Sequence, residues 1–102
     1  MAKIKVAEYN EISEGDMRKV EVEGVFIALY KIEGKIYATS DICTHEGCYL
    51  DENHKIHNYM IECTCHNSQF DIKTGEVVLP PATEKLKTYV AEVVGADIYV
   101  DM

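Results

Sequence analysis

Two short stretches of the chain combine cysteine with histidine at spacings that suit metal binding. The first holds Cys43 and His45, one residue apart, and the second holds Cys63 and His66, two residues apart. The segment between the pairs, 46 to 62, is 17 residues long. Thiolate and imidazole ligands together suit a zinc ion or an iron–sulfur cluster. Zinc modules usually pair ligands as C-x2-C, so C-x-H is unusual for them, yet a structural zinc module stays open as an alternative.

The elements around these pairs are expected to be short strands. Alternating or β-branched apolar residues predict strands at 3–7, around Val20 and Val22, and at 25–32, 35–39, 59–63, 69–72, 76–79, 86–94 and 98–102. A helical turn is expected only within 9–16, with Asn10 or Ser13 as its N-cap. Residues 41–57 show no clear periodicity and carry the first pair. Strands this short and closely spaced predict an all-β fold, either a barrel or small stacked sheets.

Length and charge narrow the class of protein. The chain has 102 residues, which is one domain by size, and a net charge of −8, which disfavours nucleic acid as a partner. It has no apolar run near the ~20 residues of a membrane span, and its first residues lack the apolar core of a signal peptide. We therefore expect a cytoplasmic protein without a membrane anchor, in which cysteines more often bind metal than form disulfides.

The two cysteine–histidine pairs, in this order and at this distance, resemble the Rieske motif. The likeness extends to "CTHEG" in the first stretch, to "FDIKTG" at 70–75, and to the prolines that follow, and it covers nearly the whole chain. The resemblance implies a Rieske-like fold of small stacked antiparallel sheets with an inserted cluster-binding subdomain of two loops. The whole chain, 1–102, would be a single Rieske domain with its cluster-binding part at about 41–82.

The resemblance also implies the cofactor and its ligands. Rieske proteins hold one two-iron, two-sulfur cluster, with two cysteines on one iron and two histidines on the other. Carried over by position, Cys43 and Cys63 would bind one iron and His45 and His66 the other.

The remaining two cysteines, Cys48 and Cys65, match a disulfide pair of the quinol-oxidising Rieske proteins. The soluble ferredoxins of ring-hydroxylating dioxygenases usually lack that pair. The resemblance therefore implies a disulfide between Cys48 and Cys65. The alternative is two buried thiols that behave as small hydrophobic residues, which a cytoplasmic location would favour.

Further positions are expected to tune the cluster. In the quinol-oxidising proteins a serine donates a hydrogen bond to a bridging sulfide and a tyrosine donates one to a cysteine sulfur. Ser68 stands at the first of these positions and Phe70 at the second. Asn67, which replaces the usual glycine, is expected to adopt a left-handed backbone. Pro80 and Pro81 resemble the proline loop that covers the cluster, and they could equally end a strand.

The histidines outside the motif, His54 and His57, lie in the polar stretch "ENHKIHN" and are expected to be in a solvated loop. Acids outnumber bases between 41 and 70, so the cluster end of the molecule is expected to be acidic and to dock on a basic partner.

The function implied by the resemblance is that of a one-electron carrier, which would accept an electron from a flavoprotein reductase and pass it to a terminal oxygenase. The chain would then be an electron-transfer component and not an enzyme by itself. An alternative is a fixed electron-transfer subunit of a larger oxidoreductase, such as a nitrite-reductase-like complex.

Overall fold

The computed structural model describes residues 3–43, 47–65, 67–80 and 82–101, and within these ranges nearly all regular structure is β. The strands are β1 Lys3–Glu8, β2 Met17–Val22, β3 Val25–Ile32, β4 Lys35–Ser40, β5 His54–His57, β6 Met60–Cys63, β7 Ser68–Asp71, β8 Val77–Leu79, β9 Thr88–Val94 and β10 Asp97–Asp101. They form a six-stranded sheet of order β1-β10-β9-β4-β3-β2 and a four-stranded sheet of order β5-β6-β7-β8. All strand pairs are antiparallel. The all-β prediction, with small antiparallel sheets, is confirmed.

Strand β3 links the two hydrophobic cores of the molecule. Ile27 and Leu29 point into a core inside the six-stranded sheet, while Ala28 and Tyr30 point into a second core shared with the four-stranded sheet. Successive side chains of a strand point to opposite faces. A strand with two cores must therefore be apolar on both faces, as the sequence of β3 predicted.

The four-stranded sheet contains one strand, β5, that the sequence does not predict. β5 pairs with β6 in a hairpin, so the expectation of a solvated loop around His54 and His57 was wrong. The strand is four residues long, and Ile56 is its only aliphatic residue. One aliphatic residue is too little to give a detectable alternation.

The two sheets are joined through the turn that follows β7. The Oδ1 atom of Asp71 accepts hydrogen bonds from the backbone N–H groups of Lys73, at 2.8 Å, and Thr74, at 3.2 Å. Gly75 has a φ of +80°, and a Cβ there would lie 2.0 Å from the carbonyl oxygen of Leu86. The Leu86 N–H donates to the Gly75 carbonyl at 2.7 Å. The "FDIKTG" motif therefore fastens the segment leading into β9 against the small sheet.

The predicted helical turn is a 3₁₀ turn over Tyr9–Glu11, and its N-cap is Glu8, not Asn10 or Ser13. The Glu8 N–H donates to the carboxylate of Glu11 at 2.7 Å. Among the described residues there is no helix long and apolar enough to cross a membrane.

Candidate metal centre

The first cysteine–histidine stretch is carried by a loop with a narrow, hydrogen-bonded base. The Leu50 N–H donates to the Asp41 carbonyl at 2.6 Å, and the Cys43 N–H donates to the Cys48 carbonyl at 2.7 Å. Ile42 and Tyr49 pair between them as an antiparallel bridge. The two ends of the loop, 41–43 and 48–50, therefore lie side by side, and Cys43 is at the start of the loop.

A buried carboxyl group closes the base of this loop. Asp41 is fully buried, and its Oδ1 accepts the Asp51 N–H at 2.9 Å. Burial, reinforced by a hydrogen bond and the charge of Asp51, raises the pKa of Asp41 to about 7. Lys19 lies 3.5 Å from the Oδ2 of Asp51. The expected acidic surface is thus wrong for Asp41, because this acid is a structural group inside the protein.

The second loop connects β6 to β7. Cys63 ends β6 and Ser68 begins β7, and the two residues are directly opposite in the sheet. The Asn67 N–H donates to the Cys63 carbonyl at 2.8 Å, and Asn67 has a φ of 62°. The predicted left-handed backbone at Asn67 is confirmed, and it lets the chain turn back within four residues.

A disulfide between Cys48 and Cys65 ties the two loops together, with their Cα atoms 6.7 Å apart. The sulfur atoms of Cys48, Cys63 and Cys65 all lie within 4.8 Å of one another. Because two of these sulfurs are bonded to each other, only Cys63 of the three can offer a thiolate. The disulfide is therefore immediately beside a possible ligand.

Cys43 and Cys63 are outside the disulfide and are almost completely buried, with 2% and 1% of their surfaces exposed. Both belong to the core between the two sheets, together with Leu50, Ile61 and Phe70. The structure therefore brings one thiol from each loop into the same core. His45 and His66 lie outside the described residues.

The chain matches the model of the Rieske [2Fe-2S] domain over residues 2–90. It belongs to the Rieske [2Fe-2S] domain family. It is 39% identical to the ferredoxin component of the naphthalene 1,2-dioxygenase system of Pseudomonas aeruginosa over 92 residues, which are 90% of this chain and 88% of that relative.

Solved structures of dioxygenase ferredoxins are similar to this chain over nearly its whole length. The ferredoxin of carbazole 1,9a-dioxygenase from Nocardioides aromaticivorans superposes with a TM-score of 0.92 at 27% identity, covering 98% of this chain and 97% of that one. A ferredoxin in complex with the oxygenase of carbazole 1,9a-dioxygenase gives a TM-score of 0.89 at 31% identity, covering 96% and 91%.

The residues of this Rieske domain fit a two-iron, two-sulfur cluster. Two thiols that are nearly inaccessible to water come from two loops, and a disulfide holds those loops side by side. Two cysteines and two histidines are the donor set that Rieske clusters use. The burial of Cys43 and Cys63 would keep water away from the thiolate side of a cluster held there, and solvent exposure is one of the properties that set a cluster's reduction potential.

Ser68 and Phe70, the positions expected to tune the Rieske cluster, are both buried. Ser68 is fully buried, and its Oγ accepts the Ala82 N–H at 3.1 Å. A hydroxyl can accept and donate at once, so the hydrogen of Ser68 can still be given to a sulfide. Phe70 is fully buried in the core that holds both thiols.

The proline segment begins at the end of β8. Pro80 is exposed and directly follows Leu79, the last residue of β8, while Pro81 lies outside the described residues. The Ala82 N–H bond to Ser68 ties the chain beyond the prolines to the second loop. Pro80 therefore follows the end of a strand, as one of its two expected roles requires, and its covering of a cluster stays a prediction.

Two residues near the site were not identified from the sequence. Asp41 is one of the acids between 41 and 70 that predict an acidic surface, and only its place before the loop could indicate a structural role. His54 was assigned to a solvated loop, but it pairs directly with Cys63 across β5 and β6. No sequence signal indicates this pairing, since β5 itself was not predicted.

Proposed function

We propose that Cys43 and Cys63 bind one iron of a Rieske cluster and that His45 and His66 bind the other. The observation that carries the proposal is the pair of buried thiols, one from each loop, beside the disulfide that joins the loops. The spacing of the histidines within the Rieske motif supports the other two ligands. We further propose that 1–102 is a single Rieske domain whose cluster-binding part is about 41–82.

The cluster, when bound, supplies a one-electron couple to the protein. The chain's own residues provide the rigid surroundings for that couple. The disulfide fixes the distance between the loops, and the Ser68 hydroxyl can donate its hydrogen to stabilise added negative charge. Hydrogen bonds to the sulfurs are one of the factors that set the potential of such a cluster.

We infer that the protein takes an electron from a flavoprotein reductase and delivers it to a terminal oxygenase in the cytoplasm. The relatives are ferredoxin components of dioxygenase systems, and one structural neighbour is a ferredoxin bound to its oxygenase. The chain is therefore an electron-transfer component and not the catalyst. Family membership favours this role over a structural zinc module.

The first test measures the iron and sulfide content and the spectra of the purified, anaerobically handled protein. We expect two irons and two acid-labile sulfides per chain, visible absorption bands, and an EPR signal that appears on reduction. Cys43→Ser and Cys63→Ser should abolish the signal, whereas His57→Ala, a histidine on the exposed face of β5, should leave it unchanged. Stoichiometric zinc without sulfide would contradict the proposal.

The second test is reconstituted turnover. The chain is added to the reductase and oxygenase of a naphthalene 1,2-dioxygenase system, and product is measured against a mixture without it. We expect product that depends on the chain and falls as salt is raised, because weak redox complexes are salt-sensitive. Co-purification with a large native subunit that survives gel filtration would favour a fixed subunit instead.

A further inference from the structure

His54 is the cross-strand partner of the proposed ligand Cys63, and both side chains are on the inward face of the four-stranded sheet. His54 and Cys63 are directly opposite in the β5–β6 hairpin, and Thr64 donates its N–H to the Asn53 carbonyl at 3.0 Å just beyond them. Hydrogen-bonded and non-hydrogen-bonded pairs alternate along an antiparallel ladder. His54 and Cys63 therefore form a non-hydrogen-bonded pair, in which the Cβ atoms are typically about 4.5–5.5 Å apart.

The burial of β5 shows which face His54 occupies. His54 and Ile56 are partly buried, and Ile56 packs against the core that contains Cys63. Lys55 and His57 are exposed on the other face, where His57 lies 3.7 Å from the carboxylate of Glu62. His54 thus points toward the core with the thiols, and His57 points away from it.

The Nδ1 atom of His54 is buried and has no hydrogen-bond partner within the ranges that the structure describes. Buried polar atoms in folded proteins are nearly always paired, because an unpaired one costs about 1–3 kcal/mol. Because this nitrogen is on the same face of the sheet as a proposed cluster ligand, a sulfur of the ligand or of the cofactor can be its partner. Thiolate and sulfide sulfurs are acceptors, and a neutral imidazole can carry its hydrogen on Nδ1.

Cys63 on β6 is directly opposite His54 on β5 and directly opposite Ser68 on β7. We propose that His54 is a second cluster-tuning residue, which donates its Nδ1–H to the sulfur of Cys63 or to an adjoining sulfide and thereby favours the reduced state. The proposal rests on the cluster ligation proposed above. It adds a donor on the β5 side, at a position that the Rieske motif does not include.

The test compares reduction potentials of cluster-loaded variants at one fixed pH. His54→Phe keeps a ring and removes the donor, so reduction should become about tenfold less favourable, which is about 59 mV for a one-electron couple. His54→Asn keeps an N–H near the position of Nδ1 and should recover most of that loss. His57→Phe, on the opposite face of the same strand, is the matched control and should leave the potential unchanged.

The outcomes separate this inference from the proposed function. A fully loaded His54→Phe protein with an unchanged potential, or an equal shift in His57→Phe, would overturn the role of His54 and leave cluster binding intact. The unsubstituted chain lacking any cluster signal would overturn the proposed function itself. If His54→Phe does not hold the cluster, His54→Met makes the same comparison, since methionine adapts to irregular space. Retention of the cluster by His54→Asn alone would support the donor, and its loss from all three variants would overturn it.

Discussion

Removing the disulfide should cost the protein a large part of its stability. Cys48 and Cys65 are 17 residues apart in sequence, and the chain-entropy relation for a closed loop of that length gives about 3 kcal/mol at 25 °C. A domain of this size is stable by about 5–15 kcal/mol. For the double variant Cys48→Ala/Cys65→Ala we therefore expect a thermal midpoint lower by about 10–20 °C.

The assay follows far-ultraviolet circular dichroism and the visible absorption of the cluster through the same anaerobic thermal scan. We expect both midpoints to fall together, because the disulfide joins the two loops that carry the proposed ligands. Unsubstituted protein treated with a strong dithiol is the control, and it should melt with the variant. An unchanged midpoint, or two alkylatable thiols beyond the ligand cysteines in the untreated protein, would refute the reasoning.

Three further changes test other parts of the structure. The pKa of Asp41 is raised to about 7 in the folded protein, so the folded state holds a proton that the unfolded chain releases, and the free energy of unfolding should fall by up to about 4 kcal/mol as pH rises from about 4 to 7. Asp41→Asn should remove this fall in thermal melts between pH 5 and 8, and a parallel decline in both proteins would contradict it. Gly75→Ala should destabilise the protein by at least about 2 kcal/mol, because its Cβ would collide with the Leu86 carbonyl. A thermal midpoint within 2 °C of the parent, roughly 0.5 kcal/mol, would show that Gly75 and Leu86 are not in such close contact. Phe70→Tyr should raise the potential by on the order of 50 mV through a new donor to sulfur, and a redox titration showing no rise would contradict that role.

Most strands could be predicted because they contain several β-branched, aliphatic or aromatic residues within a short run. β2, β3 and β4 carry branched and aromatic residues with glycine-containing turns between them, and their local pattern agrees with their place in the sheet. β5 could not be predicted, because Ile56 is its only aliphatic residue and the strand is held in place by its pairing with β6. Its stability comes from pairing between segments and not from its own composition.

The candidate site likewise has residues that the sequence predicts and residues that it does not. The motif itself predicted which two cysteines are candidate metal ligands, since ligand chemistry dictates residue type and spacing. The burial of Asp41 and the facing of His54 toward Cys63 depend on how distant strands meet. Such positions carry no local signal, because an acid before a loop or a histidine in a polar stretch is ordinarily solvated.

The central claim is that two histidines and two cysteines of this chain hold one iron–sulfur cluster. The most direct measurement is pulsed EPR of the reduced protein prepared with ¹⁵N-labelled histidine. The account predicts strong couplings to two histidine nitrogens, one of which disappears in each of the variants His45→Cys and His66→Cys if the cluster is retained. A reduced two-iron cluster with no coupled histidine nitrogen would contradict it.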